Sequence, residues 1–129
     1  MNIPTNLKYS GSHEWVEFTG DATARIGLTD FAQYTLGSIV YVSLPGVGDA
    51  VAAGESCGDV ESVKVAAELI SPVGGIVAAV NSAVEDAPGK INDAPYETWL
   101  VELKDVVAQE KLMDADEYKA FCKEKEQEN

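Results

Sequence analysis

Lys64 is the one basic residue between Arg25 and Lys90, and it lies inside Val60-Glu61-Ser62-Val63-Lys64-Val65-Ala66-Ala67-Glu68. A lysine at the tip of a tight β-turn is presented to solvent, away from packed faces. Its amine stands at the end of a flexible four-carbon stem. An exposed amine of that kind is what a ligase needs to form an amide with a carboxylic cofactor. An ordinary solvated hairpin lysine looks the same, and on spacing alone that plainer reading is the commoner one.

Other residue types with chemical potential give less. His13 is the only histidine and has no nucleophile signature beside it, so a structural role is expected. Cys57 and Cys122 form no CxxC and no Cys/His cluster, which argues against a metal centre and against a disulfide framework. There is no G-x-S-x-G elbow, no phosphate-cradling glycine loop before a helix and no Ser/His/Asp set. Gly46, Gly48 and Gly54 fit β-turns. Nothing in these residue types supports independent catalysis.

The elements that must position Lys64 are mostly strands. His13 to Thr19 reads as a strand ending at the turn pair Gly20-Asp21, and Ala22 to Leu28 returns. Thr29 is a helix N-cap and Gly37 a stop, giving a short helix over Asp30 to Leu36. Ile39 to Leu44 is β-branched and aromatic, hence a strand. Further strands are expected over 55–62, 65–70 and 75–80. Pro88-Gly89 and 92–95 mark a loop, and 98–104 a late strand. Asp114 and Glu117 form a capping box. Tyr118, Phe121 and Cys122 follow at helical spacing, so a C-terminal helix near 115–125 packs one stripe on the sheet. Residues 123–129 are polar and expected to fray.

A faint repeat at an offset of 33 pairs 39–51 with 72–84, matching Leu44 with Val77, Val47 with Val80, Ala50 with Ala83 and Val51 with Val84. Two such β units facing each other would make a flattened sandwich, with the segment between them projecting as a hairpin. The expected fold is therefore mostly β, a sandwich or flattened barrel with one internal and one C-terminal helix. It forms a single domain over 1–129, with a β-rich body over 1–112 and the helix and tail over 113–129.

The bulk numbers agree. At 129 residues, 46% hydrophobic and mean hydropathy −0.07, the chain reads as one soluble globular unit. No apolar run reaches the roughly 18 residues of a membrane span. The N-terminus has neither a secretory nor an Arg-rich pattern. The net charge of −13 repels nucleic acid and anionic membranes and favours partners with basic faces, or serves solubility alone.

Glu61-Ser62-Val63-Lys64 resembles the lipoyl-attachment motif of glycine cleavage H proteins. The likeness continues along nearly the whole chain, in order. Lys8-Tyr9-Ser10 with Ser12-His13-Glu14-Trp15 is similar to the family's N-terminal signature. Gly27-Leu28-Thr29-Asp30-Phe31-Ala32-Gln33 with Leu36-Gly37 resembles its first helix, and Val40-Tyr41-Val42-Ser43-Leu44-Pro45 the strand that follows. Ser71-Pro72-Val73-Gly74-Gly75, Val80-Asn81, Ile91-Asn92, Pro95-Tyr96, Trp99-Leu100, Tyr118 and Phe121-Cys122 extend it to the C-terminal helix. Departures are Val65 after the lysine, Gly75 and Ser38 where acids often stand, a Tyr96–Trp99 interval that looks one residue short, and a first helix without histidine.

The resemblance implies a fold of the biotinyl/lipoyl-carrier type and lipoate in amide linkage to Lys64, with Glu61, Ser62, Val63 and Val65 forming the attachment motif. It implies an arm that takes the aminomethyl group of glycine from glycine decarboxylase (P protein) to the aminomethyltransferase (T protein). Dihydrolipoamide dehydrogenase (L protein) reoxidises the arm, and lipoate or octanoate attachment enzymes load the lysine. The loaded arm would rest in a surface cleft, and Ser12, Glu14 and Glu68 are the candidates to hold its amine, against ordinary solvated charge for the two acids. No metal, nucleic acid or membrane is implied. A monomer in the cytoplasm is expected, or in the mitochondrial matrix for a mature eukaryotic form. Biotin carriers have Met on both sides of the lysine, where Val63 and Val65 stand here. Lipoyl domains of acyltransferase complexes commonly have Asp before theirs. A relay that donates lipoyl groups to other carriers and an unmodified interaction module with the same fold stay open.

Overall fold

Strands alternate side chains between two faces, and the first third of the chain uses both. The computed structural model describes residues 1–109 and 111–127. In it β1 (Lys8–Tyr9), β2 (Glu14–Gly20) and β3 (Thr23–Leu28) pair antiparallel, with Trp15 opposite Gly27 and Val16 opposite Ile26. Val16 enters the main core, whereas Trp15 belongs to a second cluster with Tyr9, Phe31, Tyr118 and Cys122. The start of β2, from Glu14 to Val16, is thus buried on both faces. Glu14 shares the face of Val16 and so points between the sheets, where it is 1% exposed.

Helix α1 (Asp30–Leu36) has the expected bounds. The Thr29 hydroxyl accepts a hydrogen bond from Ala32 N–H, a cap that contributes about 1 kcal/mol. Gly37 ends the helix with φ +83°, a conformation other residues rarely adopt, and its N–H donates to Gln33 O. β4 (Ile39–Ser43), β5 (Ala50–Val51), β6 (Ser56–Ser62), β7 (Ala66–Ile70), β8 (Val73–Val80) and β9 (Val101–Gln109) complete the sheets. One sheet runs β1-β2-β3-β9-β8-β5 and the other β4-β6-β7. They face each other as a flattened sandwich and no closed barrel forms among the described residues. Val16, Ile26, Val77 and Leu103 from the larger sheet meet Ile39, Val42, Val60 and Leu69 from the smaller.

The structure corrects several expectations. The late strand starts at Val101 and is longer than residues 98–104, and β8 begins at Val73 rather than 75. The segment read as loop contains α3 (Lys90–Asp93), and α2 (Ser82–Asp86) precedes it. Neither helix has a side-chain cap and each is a single turn, so no sequence signal marked them. The offset repeat also breaks, because Ala50 and Val51 are strand where Ala83 and Val84 are helix.

The C-terminal helix α4 (Ala115–Gln127) has the expected capping box: Glu117 N–H donates to Asp114 Oδ1 at 2.8 Å and Asp114 N–H to Glu117 Oε1 at 3.1 Å. The helix continues to Gln127, past the start of the segment expected to fray; residues 128–129 lie outside the described residues. Gly75, one of the departures from the family pattern, lies where a Cβ would sit 2.7 Å from the Lys104 carbonyl oxygen. The close approach of β8 to β9 excludes a side chain there.

Candidate functional site

β6 and β7 form the hairpin that carries Lys64. Ser62, the last residue of β6, builds its turn: Ser62 N–H donates to Val65 O at 2.8 Å, and its hydroxyl accepts from Lys64 N–H and Val65 N–H, each at 3.1 Å. A serine hydroxyl binding backbone N–H groups two and three residues on is a standard turn former. Val63 N–H donates to Ser38 O at 3.0 Å, which ties the tip to the segment after α1. Ser62 is buried, whereas Glu61, Val63, Lys64 and Val65 are exposed.

The Lys64 side chain makes no ion pair among the described residues. Its stem lies over Gly37, where a Cβ would stand 3.0 Å from Lys64 Cε. Asp59 of β6 lies directly opposite Glu68 of β7, and both are exposed. Like charges so placed repel, and the outer face of this hairpin is acidic.

Between the sheets, beside this hairpin, lies a cavity of about 150 Å³. Ser12, His13 and Glu14 line it from the start of β2, Leu28, Ala32, Thr35 and Leu36 from β3 and α1, and Val60, Ala67 and Glu68 from the hairpin. Ser12, Glu14 and Glu68 therefore line one space, although Ser12 and Glu14 are more than forty positions from Glu68 in the sequence. Glu68 stays exposed while Glu14 does not, so a merely solvated Glu14 is ruled out.

Glu14 Oε1 accepts from the Ser12 and Ser10 hydroxyls, the latter at 2.7 Å, and Oε2 accepts from Ile70 N–H at 3.3 Å. Burial pushes its carboxyl up to about 7, against the hydrogen bonds from Ser12, Ser10 and Ile70 that favour the ionised form. A carboxyl poised near neutrality beside an apolar wall can take the charge state its neighbour demands. The nearby Cys57 thiol is pushed up to about 12, by burial first and by Glu14 second.

The sequence did not mark Ser10 as a partner of Glu14, nor Leu28, Ala32, Leu36 and Val60 as an apolar wall. The apolar positions were legible as core, but which of them border a gap depends on how two sheets meet.

The chain is similar to known proteins over nearly all of its length. The family model described as glycine cleavage H-protein matches residues 7–125. The chain belongs to the glycine cleavage H-protein family. It is 47% identical to the glycine cleavage system H protein of Lachnoclostridium phytofermentans, over 95% of this chain and 97% of that one. It is 52% identical to that of Halalkalibacterium halodurans, over 95% and 98%. The crystal structure of a glycine cleavage system H protein from Mycobacterium marinum superposes with a TM-score of 0.87 at 40% identity, covering 92% of this chain and 97% of that one. The two sheets and the C-terminal helix match the mostly β fold expected from the sequence. No helix of the described residues is long and apolar enough to cross a membrane.

Proposed function

We propose that this chain is the lipoyl carrier of a glycine cleavage system, with lipoate in amide linkage to Lys64. It shuttles the aminomethyl group of glycine from the decarboxylating glycine dehydrogenase to the aminomethyltransferase, and dihydrolipoamide dehydrogenase then reoxidises the arm. Lipoate or octanoate attachment enzymes load it, and the cytoplasm is the compartment proposed. The carrying observation is the turn in which Ser62 fixes the backbone of Lys64 and Val65 and leaves the lysine amine exposed, in a chain of this family. An exposed amine on a long stem, free of an ion pair among the described residues, fits a carboxylic cofactor.

When bound, lipoate supplies a dithiolane whose ring opens to accept the transferred group. The residues of the chain present, shelter and release it. Ser62 and the Ser38–Val63 contact hold the turn for the attaching enzyme. Val63 and Val65, 69% and 49% exposed, with Tyr41 nearby on β4, offer apolar contact to partner clefts. Glu68 lies four strand residues from Lys64, about 13 Å at the usual rise, so an arm folded back along β7 ends at the cavity. There Glu14 would be held ionised by an ammonium and bind it by a charge-assisted hydrogen bond, with Ser12 and Glu68 at its sides.

Intact-mass measurement of protein from a lipoate-competent host tests the assignment, with peptide mapping to Lys64. Lys64→Arg should fold normally and take no lipoyl mass; lipoylation elsewhere in that variant would overturn the site. Glycine exchange with purified partner enzymes separates glycine shuttling from a lipoate relay.

A further inference from the structure

The cavity has a wall that the attachment motif does not explain. His13 stands between Ser12 and Glu14 with φ +70°, a left-handed conformation that costs a residue with a Cβ about 1–3 kcal/mol. Such a conformation persists only where its surroundings impose it. Here they act from several sides. His13 N–H donates to Ser10 O at 3.1 Å, and His13 O accepts from Thr29 N–H at 3.1 Å. The ring stacks on Phe31 with centroids 4.5 Å apart. Its Nδ1 lies 2.7 Å from the Tyr118 hydroxyl.

That hydroxyl also lies 2.7 Å from Thr29 Oγ1, the cap of α1. The hydrogens can be assigned without conflict. Ala32 N–H donates to Thr29 Oγ1, the Thr29 hydroxyl to the Tyr118 oxygen, and the Tyr118 hydroxyl to Nδ1 of a neutral His13. Burial first, and the Lys125 charge second, lower the His13 ring to about 4, which keeps it neutral and able to accept. Tyr118 is 0% exposed and stacks on Tyr9 with centroids 4.6 Å apart and planes 6° from parallel. Its phenol is therefore fixed before it grips anything.

The geometry points to Tyr118 as the positioning residue of the cavity, its hydroxyl tying the His13 corner to the start of α1 so that Ser12 and Glu14 meet Leu28 and Ala32 across a gap of preset shape. Among the described residues α4 adds none to the cavity lining, yet through this one oxygen it sets where two walls stand. The functional part rests on the proposed resting place of the arm; the geometric part does not.

The test compares Tyr118→Phe with wild type and with Val84→Ala, a core truncation that lines no part of the cavity. The first readout is the titration midpoint of the Glu14 carboxyl, followed by carbon NMR in the unlipoylated protein. Tyr118→Phe should lower it by about one pH unit or more, because a loosened corner admits water. Val84→Ala should leave it in place at an equal loss of thermal stability. An unchanged midpoint in Tyr118→Phe, or an equal fall in Val84→Ala, overturns the proposal. Should Tyr118→Phe not fold, Thr29→Ser and Thr29→Val give the same decision. The serine keeps the hydroxyl and should hold the midpoint, the valine should lower it, and equal midpoints overturn the proposal.

The second readout is loss of the aminomethyl group from loaded protein, expected to be roughly tenfold faster in Tyr118→Phe. Glu14→Ala run beside it judges the resting place separately. If Glu14→Ala retains its load as wild type does, the resting place fails while the Glu14 midpoint still decides the role of Tyr118.

Discussion

Ser62 Oγ lies 3.1 Å from the backbone nitrogen of Lys64. The residue two positions before Lys64 thus decides how that lysine is held. Ser62→Ala removes the acceptor for both Lys64 N–H and Val65 N–H. It should cost about 1 kcal/mol and lower the melting temperature by a few degrees. Lipoylation in a purified attachment reaction should slow several-fold, and Ser62→Thr should restore it. An Ala variant lipoylated at the wild-type rate would show that the turn is read by sequence and not by shape.

Glu14→Ala and Glu68→Ala address the cavity. Both should keep lipoylation, because the proposed attachment motif, residues 61–65, is left intact. Glu14→Ala should speed non-enzymatic release of formaldehyde and ammonia from the loaded carrier, and Glu68→Ala less so, because Glu14 is buried among donors and Glu68 is open to solvent. The measurement loads each protein with glycine and decarboxylase, removes the enzyme and follows release. Equal rates in all three proteins would remove the protective role.

The same carboxyl sets a pH dependence. Folded Glu14 keeps its proton up to about 7, whereas the unfolded chain releases it near 4.5. The folded state binds the extra proton between those values, so stability falls as pH rises through them. His13 acts oppositely: it titrates near 4 when folded and 6.5 when unfolded, so its contribution rises with pH over that range. The two offset each other between 4.5 and 6.5. Glu14→Gln removes only the falling limb. Its stability relative to wild type should climb by up to about 3 kcal/mol from pH 5 to 8 and level off above 7. Denaturant curves at four pH values check this, and parallel profiles would count against it.

A net charge of −13, with Asp59 and Glu61 exposed on the hairpin, should draw basic partner surfaces. The Michaelis constant of a partner enzyme for this carrier should then rise with salt, as the screening length shortens to about 8 Å at 0.15 M. A salt-independent constant would assign the charge to solubility.

Local signals made much of the fold legible. Thr29, Asp30 and Gly37 bounded α1, and Asp114 with Glu117 marked the start of α4. Both depend on contacts within a few residues. The capless turns of α2 and α3, and the two-residue strands β1 and β5, are held by tertiary partners instead. In the site, Ser12, Glu14 and Glu68 were singled out by family likeness. The burial of Glu14 was not legible, because alternation along β2 says which residues share a face but not what covers each face. Tyr118 read as one member of a helical stripe; its hydroxyl contacts span 89 and 105 positions.

That difference in span also orders events in time. The turn around Lys64 closes over the three positions from Ser62 to Val65. The cavity waits for Ile70 to find Glu14 across 56 positions, and for Tyr118 to reach Thr29 and His13. Hairpins form in about 1–10 μs, and contacts of long sequence separation come later. On a chain emerging from the ribosome, the lysine's turn can form while residues beyond β7 are still being made. The corner held by Tyr118 must wait for the C-terminal helix. The turn that holds Lys64 needs only its own hairpin, whereas the cavity needs the C-terminal helix.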